Sequence, residues 1–253
     1  MIDAPENTLL GHLEALRGVV LRCLAVTALL FPVGYVVSPL VITGLVRWCL
    51  PPTLGGLHFF SPLEAFVVQL KLALLLALAA AYPWNLVQLW RFLVPALHEH
   101  ERCLLRRWVA MASLLFFAGV IFSALLVLPL LMQFSSQFAG EQLRPMLGLA
   151  QFLGLAGWLS LGFGLMFQTP VLAAAAVQLG LVSCADLRRH RPIVMTVILI
   201  VAAILTPPDV VSQLLLAIPT WLLFELGLFW ASRQEGKVPS ATVVVCEDAD
   251  GRG

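Results

Sequence analysis

Apolar residues in this chain come in blocks, not stripes. Nearly uninterrupted runs cover about Gly18 to Val37, Val67 to Trp90, Trp108 to Phe134, Ala150 to Leu181, Ile193 to Leu205 and Val211 to Trp230. A helix that is apolar on every side is a buried or membrane-spanning helix, and about 20 such residues cross about 30 Å of hydrocarbon. The pattern predicts six spans. The fourth run exceeds one crossing and should tilt or kink, with Pro170 as the natural kink site. The fifth and sixth are short, and the fifth needs bilayer thinning, its polar ends or protein packing to cross. The polar blocks between them read as loops. Ser38 to Phe66 carries Pro39, Pro51, Pro52, Gly55, Gly56 and Pro62, with Arg47 and Glu64 as its charges.

Composition fixes the class. Of 253 residues, 60% are hydrophobic and only 11% charged, and the mean hydropathy is +0.96. Soluble domains run near 45–50% apolar and 25% charged, so a cytosolic enzyme, a disordered chain and a disulfide scaffold are excluded. The expectation is an all-α membrane protein divided into an N-terminal segment (1–17), a six-span domain (18–231) and a polar, disordered tail (232–253). Asp3, Glu6 and Glu14 near the N-terminus oppose a cleavable signal peptide, so the first span should be retained. Five scattered cysteines form no C-x-x-C pair.

Charge placement orients the spans. Arg17, Arg22, Arg91, Arg102, Arg106, Arg107, Arg188, Arg189, Arg191, Arg233, Lys237 and Arg252 share one side, against Arg47, Lys71 and Arg144 on the other. The positive-inside rule puts both termini in the cytoplasm.

Three features rise above the apolar background. The first is carboxylate on the cytoplasmic side: Glu14, flanked by His12 and Arg17, and Glu99 with Glu101 in the stretch His98-Glu-His-Glu101. Solvated interface charge is the plainer reading of any one glutamate there. The two histidines stand two apart, not four, so no zincin site forms, and neither metal nor cofactor is expected. The second is Gln168, just before Pro170 within the fourth run. Its amide either bonds a neighbouring helix or backbone freed by the proline, or docks a partner's helix. The third is Asp209 and Glu225 around the sixth run. Asp209 suits a helix N-cap, with Ser212 as a rival, whereas Glu225 is an ionisable intramembrane residue and a functional candidate by default. A small secondary transporter or permease is the competing reading, for which Gln168 alone is a thin polar path.

The ordered motifs carry a resemblance. His12-Leu13…Leu16-Arg17, Phe60-Ser-Pro62 with Lys71, Gln88-Leu-Trp-Arg-Phe92…Pro95-Ala-Leu97, His100-Glu-Arg102, Phe163-Gly164…Phe167…Pro170, Asp186-Leu-Arg188…Arg191-Pro192, Thr206-Pro-Pro-Asp209…Ser212-Gln213 and Ile218-Pro219…Phe224-Glu225 together resemble the TatC family. That family is the receptor subunit of the twin-arginine protein translocase. The resemblance implies a transport subunit, not an enzyme, in the cell's inner membrane. It implies that Glu101, with Glu14, His12 and Arg17, binds the arginine pair of a folded cargo's signal peptide. It further implies that Gln168, Thr206 and Gln213 meet the single-span subunits TatA and TatB. Self-association and drive by the proton-motive force are implied as well, with no nucleotide and no nucleic acid. Pro39, Phe92, Pro95, Asp209 and Glu225 complete the functional candidates. The chain departs from the family pattern at two places: Glu14 stands one position off the usual acidic site, and Gln168 replaces a common glutamate.

Overall fold

A computed structural model describes residues 6–50, 57–58, 60–93, 102–137, 147–178, 182–205 and 210–235. Its helices are α1 (Glu6–Cys49), α2 (Pro62–Leu93), α3 (Arg102–Phe122), α4 (Leu128–Gln137), α5 (Leu149–Met166), α6 (Thr169–Gln178), α7 (Cys184–Arg189), α8 (Arg191–Leu205) and α9 (Val210–Glu235). A π-helical turn, Ser123–Val127, joins α3 to α4 without a break in the chain's course. Among the described residues the only β-type pairing is a bridge between His58 and Gly148. Four stretches are long and apolar enough to cross a bilayer: Leu13–Cys49, Pro62–Phe92, Trp108–Ser136 and Leu149–Val177. Arg191–Ile204 and Gln213–Phe229 are the shorter apolar helices. At 1.5 Å per residue these apolar stretches are about 20–26 Å long, although α9 as a whole, with 26 residues, extends to about 39 Å.

One expectation is overturned. Ser38 to Cys49 was expected to be loop but continues α1, because prolines break helices chiefly by orphaning a carbonyl four residues earlier, and here that carbonyl is answered. Pro39 cannot bond the Tyr35 carbonyl, and the fully buried Ser38 hydroxyl donates to it instead at 2.8 Å. The same device recurs at the α5–α6 break. Pro170 leaves the Met166 carbonyl without its helical N–H, and the hydroxyl of Thr169 donates to it. A third proline, Pro129, forces the π turn. The Leu125 carbonyl that it orphans accepts from the Trp48 indole at 3.2 Å, while Cys49 Sγ reaches the Ala124 carbonyl at 3.6 Å. The far end of α1 is thus pinned to the bulge in the third span, which is what the extra turns of α1 accomplish.

Packing runs through a chain of neighbours: α1 lies on α2, α2 on α3 and α5, α3 on α5, α6 on α9, and α9 on α8. The main core forms where α5 meets the π turn, α4 and the last two helices, around Leu128, Phe152, Leu159, Phe163 and Leu216. Tyr82 and Phe116 stack between α2 and α3 with ring centroids 3.8 Å apart. Hydrocarbon is no worse a solvent than leucine, so close backbone approach replaces hydrophobic burial as the source of helix pairing. Gly34 supplies it between α1 and α2: a Cβ there would collide with the Ala73 carbonyl. Helix α9 carries residues 232–235 of the tail expected to be disordered, and the rest of that tail lies outside the described residues.

Candidate functional site

The antiparallel pairing of α1 and α2 sets the level of the N-terminal carboxylate. Gly34 meets α2 at Ala73 and Ala77. Twenty residues back along α1, about 30 Å, is Glu14, and the same distance along α2 from the Ala73–Ala77 contact reaches about the level of its last residue, Leu93. Glu14 therefore stands level with the end of α2, and α3 begins at Arg102, one residue after Glu101. Glu101 and Pro95 themselves lie outside the described residues, as does the side chain of His12. Glu14 and Arg17 are both exposed, on a stretch where Leu13 and Leu16 are also open. Glu14 makes no ion pair among the described residues. Phe92, in the last turn of α2, is half-buried.

The same end of the bundle carries a second polar group. Ser183 caps α7, accepting from the Asp186 N–H at 3.0 Å while its hydroxyl donates to the Asp186 carboxylate at 2.6 Å. These bonds from the Ser183 side chain, then from its backbone, hold the Asp186 carboxyl below the usual carboxylate range, with His190 and Arg189 adding to the effect. Glu225, half-exposed on α9, is not a lone charge: Arg191 Nη2 donates to its Oε2 at 2.7 Å and ties the start of α8 to α9. With both partners about a third or more exposed, this pair contributes little to stability and mainly fixes register.

Gln168 sits at the α5–α6 break and is buried. Its Nε2 donates to the Ala112 carbonyl of α3 at 3.0 Å and, more weakly, to the Gly164 carbonyl at 3.4 Å. Gln213, half-buried near the start of α9, donates to the Leu199 carbonyl of α8 at 3.1 Å. Thr206 and Asp209 lie outside the described residues. Pro39 is exposed within α1.

Sequence reading left one organising residue unassigned. Glu64, at the opposite end from Glu14, accepts from the Phe60 N–H at 2.8 Å and from the Ala150 N–H at 3.2 Å. It fastens the stretch before α2 onto the first turn of α5, where aligned peptide dipoles favour a carboxylate. The His58–Gly148 bridge lies beside it, with the His58 N–H donating to Leu147 O at 3.0 Å and the Leu149 N–H to His58 O at 2.8 Å. A signal was present: Ser61-Pro62-Leu63-Glu64 has the capping-box spacing with proline at the first helical position.

The fold and the charge distribution define a polytopic all-α membrane protein whose polar chemistry sits at the helix ends and at proline breaks. Residues 11–219 match the family described as Sec-independent protein translocase protein (TatC). The chain is 35% identical over 233 residues to the Sec-independent protein translocase protein TatC of Azotobacter chroococcum mcd 1, covering 90% of each chain. It is 34% identical over 237 residues to that of Escherichia coli strain K12, again covering 90% of each. Among solved structures, the twin-arginine translocase receptor TatC crystallised in DDM superposes with a TM-score of 0.78 at 27% identity, covering 87% of this chain and 99% of that one. The chain belongs to the TatC family and is the multi-span core subunit of a twin-arginine protein translocase. That membership decides against the permease reading.

Proposed function

We propose that the end of the bundle bearing Glu14 and the segment 94–101 receives the paired arginines of a cargo signal peptide, with Glu101 as the principal carboxylate and Glu14 as the second. The observation that supports this is the exposed Glu14, which has no ion-pair partner among the described residues and stands level with the end of α2, from which the chain continues through Glu101 to α3. Two carboxylates can each take a guanidinium in a bidentate, charge-assisted geometry that lysine cannot reproduce. Arg17 and His12 flank Glu14 and set its local charge. The exposed Leu13 and Leu16 beside it suit the apolar stretch of such a peptide.

The orientation that fits is N-in and C-in within the cell's inner membrane, because Arg17, Arg22, Arg91, Arg188, Arg189 and Arg191 crowd this end while Arg47 and Lys71 lie toward the other. Contacts with TatA- and TatB-type single-span subunits fall to the α8–α9 end around Thr206 and Gln213 and to the α5–α6 break, where Gln168 acts from within by holding the Ala112 carbonyl of α3. Self-association and use of the proton-motive force complete the reading. Export of a folded reporter tests it. Glu101→Ala should abolish transport of a twin-arginine reporter and Glu14→Ala should reduce it, with membrane insertion and abundance unchanged. Undiminished export by Glu101→Ala sinks the assignment.

A further inference from the structure

A groove of about 270 Å³ opens between α2 and α5 on the half of the molecule where both helices begin. Val68, Leu75, Gly154, Trp158 and Leu161 make its walls apolar, and Lys71 stands at it as its single charged residue. Lys71 is exposed and has no hydrogen-bond or ion-pair partner among the described residues. The carboxylate nearest along α2, Glu64, is already held by the Phe60 and Ala150 N–H groups, so it does not neutralise the lysine.

Depth identifies what should sit there. α2 is 32 residues long, about 48 Å, so a 30 Å hydrocarbon layer centred on it leaves about 9 Å outside at either end. Lys71 lies nine residues from Pro62, about 14 Å, which puts its Cα about 5 Å inside the hydrocarbon edge. An ammonium there reaches the headgroup level by extending its stem outward. Trp158, 53% exposed on the facing helix, belongs to the same interfacial zone. From Lys71 the walls continue inward through Leu75 and Leu161, toward the bilayer centre. Gly154 keeps the floor open, since a Cβ on it would meet nothing within 4 Å.

We propose that this groove is a binding site for one anionic phospholipid, its phosphate on the Lys71 ammonium and one acyl chain lying between α2 and α5. An unpaired cation at the headgroup level above an apolar slot that runs toward the bilayer centre matches a phosphate ester with a chain below it. The lipid would brace the α2–α5 seam beneath the Glu64 clamp. The site does not depend on the signal-peptide reading.

Full-length protein in nanodiscs of equal phosphatidylglycerol and phosphatidylcholine, with matched chains, tests the proposal by native mass spectrometry of retained lipid. The wild-type chain should hold one phosphatidylglycerol with a preference of about fivefold or more over phosphatidylcholine. Lys71→Gln should bring that ratio to about one, Lys71→Arg should keep it, and Arg47→Gln should leave it unchanged. Gly154→Leu, whose Cβ would meet nothing within 4 Å and whose side chain would take up space in the groove, should release the retained lipid of both classes. Equal retention of the two lipids by the wild type, an unchanged ratio in Lys71→Gln, or undisturbed retention in Gly154→Leu overturns the site. So does photocrosslinking from position 154 in native membranes that captures a protein helix in place of lipid.

Discussion

Removing the Glu64 carboxylate should loosen the end of the bundle opposite the signal-peptide site. The carboxylate takes two backbone N–H groups, Phe60 at 2.8 Å and Ala150 at 3.2 Å. Hydrogen bonds to a charged group contribute about 1.5–3 kcal/mol each when well formed. The second is long and the residue is half-exposed, so solvent screening brings the pair to about 2 kcal/mol. The dipole of α5 adds a few tenths, within a range of about 0.3–1 kcal/mol. Glu64→Ala should therefore cost about 2–3 kcal/mol, and Glu64→Gln, which keeps one acceptor oxygen and loses the charge, about 1 kcal/mol. In a chain of this size each kcal/mol moves a melting midpoint by about 2–4 °C. Detergent-solubilised Glu64→Ala should melt roughly 4–12 °C lower than wild type, and hydrogen exchange should quicken at the Phe60 and Ala150 amides while the α8–α9 amides are unaffected. A midpoint within 1–2 °C of wild type together with unchanged exchange at those two amides refutes the clamp.

Two further predictions follow from the proline breaks and from α7. Ser38→Ala and Thr169→Ala each leave an orphaned carbonyl unanswered, at Tyr35 and Met166, and each should destabilise by about 0.5–1.5 kcal/mol, the net contribution of an ordinary hydrogen bond. The two sites lie on different helices, so the double variant should show the sum in a thermal unfolding series. Asp186 has a depressed carboxyl, so its support of α7 is present above the ordinary carboxylate range and is lost as pH falls through the depressed value. Acid titration followed by exchange of the α7 amides should show that loss, and Ser183→Ala, which removes the largest cause, should move its midpoint upward. A midpoint unmoved by Ser183→Ala counts against the capping box.

How much of this was readable in the sequence depends on which solvent surrounds each residue. The span order was legible because blocks of apolar residues have one meaning in a bilayer, and the Ser183-Cys-Ala-Asp186 spacing carried a capping signal for α7 that the sequence reading did not use. The far half of α1 was not. Pro39 reads as a breaker because in water the freed carbonyl can leave the helix, whereas in lipid it must be answered locally, and Ser38 answers it. The rule that a Ser or Thr before a proline keeps a span helical would have recovered both this helix and the short break at Thr169-Pro170. The π turn was illegible for a different reason, since Pro129 announces an orphan at Leu125 but says nothing of Trp48, seventy-seven residues away, that satisfies it. Gln168 was expected either to bond a neighbouring helix or backbone freed by Pro170, or to dock a partner's helix. Its amide takes the first course, reaching Ala112 on α3, while Thr169 takes the carbonyl that the proline frees. Glu225 looked like a lone intramembrane charge because its partner, Arg191, lies thirty-four residues earlier.

The central claim is that paired arginines are read by Glu101 together with Glu14, and the direct measurement is capture of the peptide on the intact subunit. A photoreactive group placed beside the arginine pair of a signal peptide is irradiated with membranes containing the full chain, and the adduct is mapped. The account predicts crosslinks to the first turns of α1 and to the 94–101 segment with the Arg-Arg peptide, none with a Lys-Lys peptide, and loss of the adduct in Glu101→Gln. Equal crosslinking by the Lys-Lys peptide, or an undiminished adduct in Glu101→Gln, contradicts it.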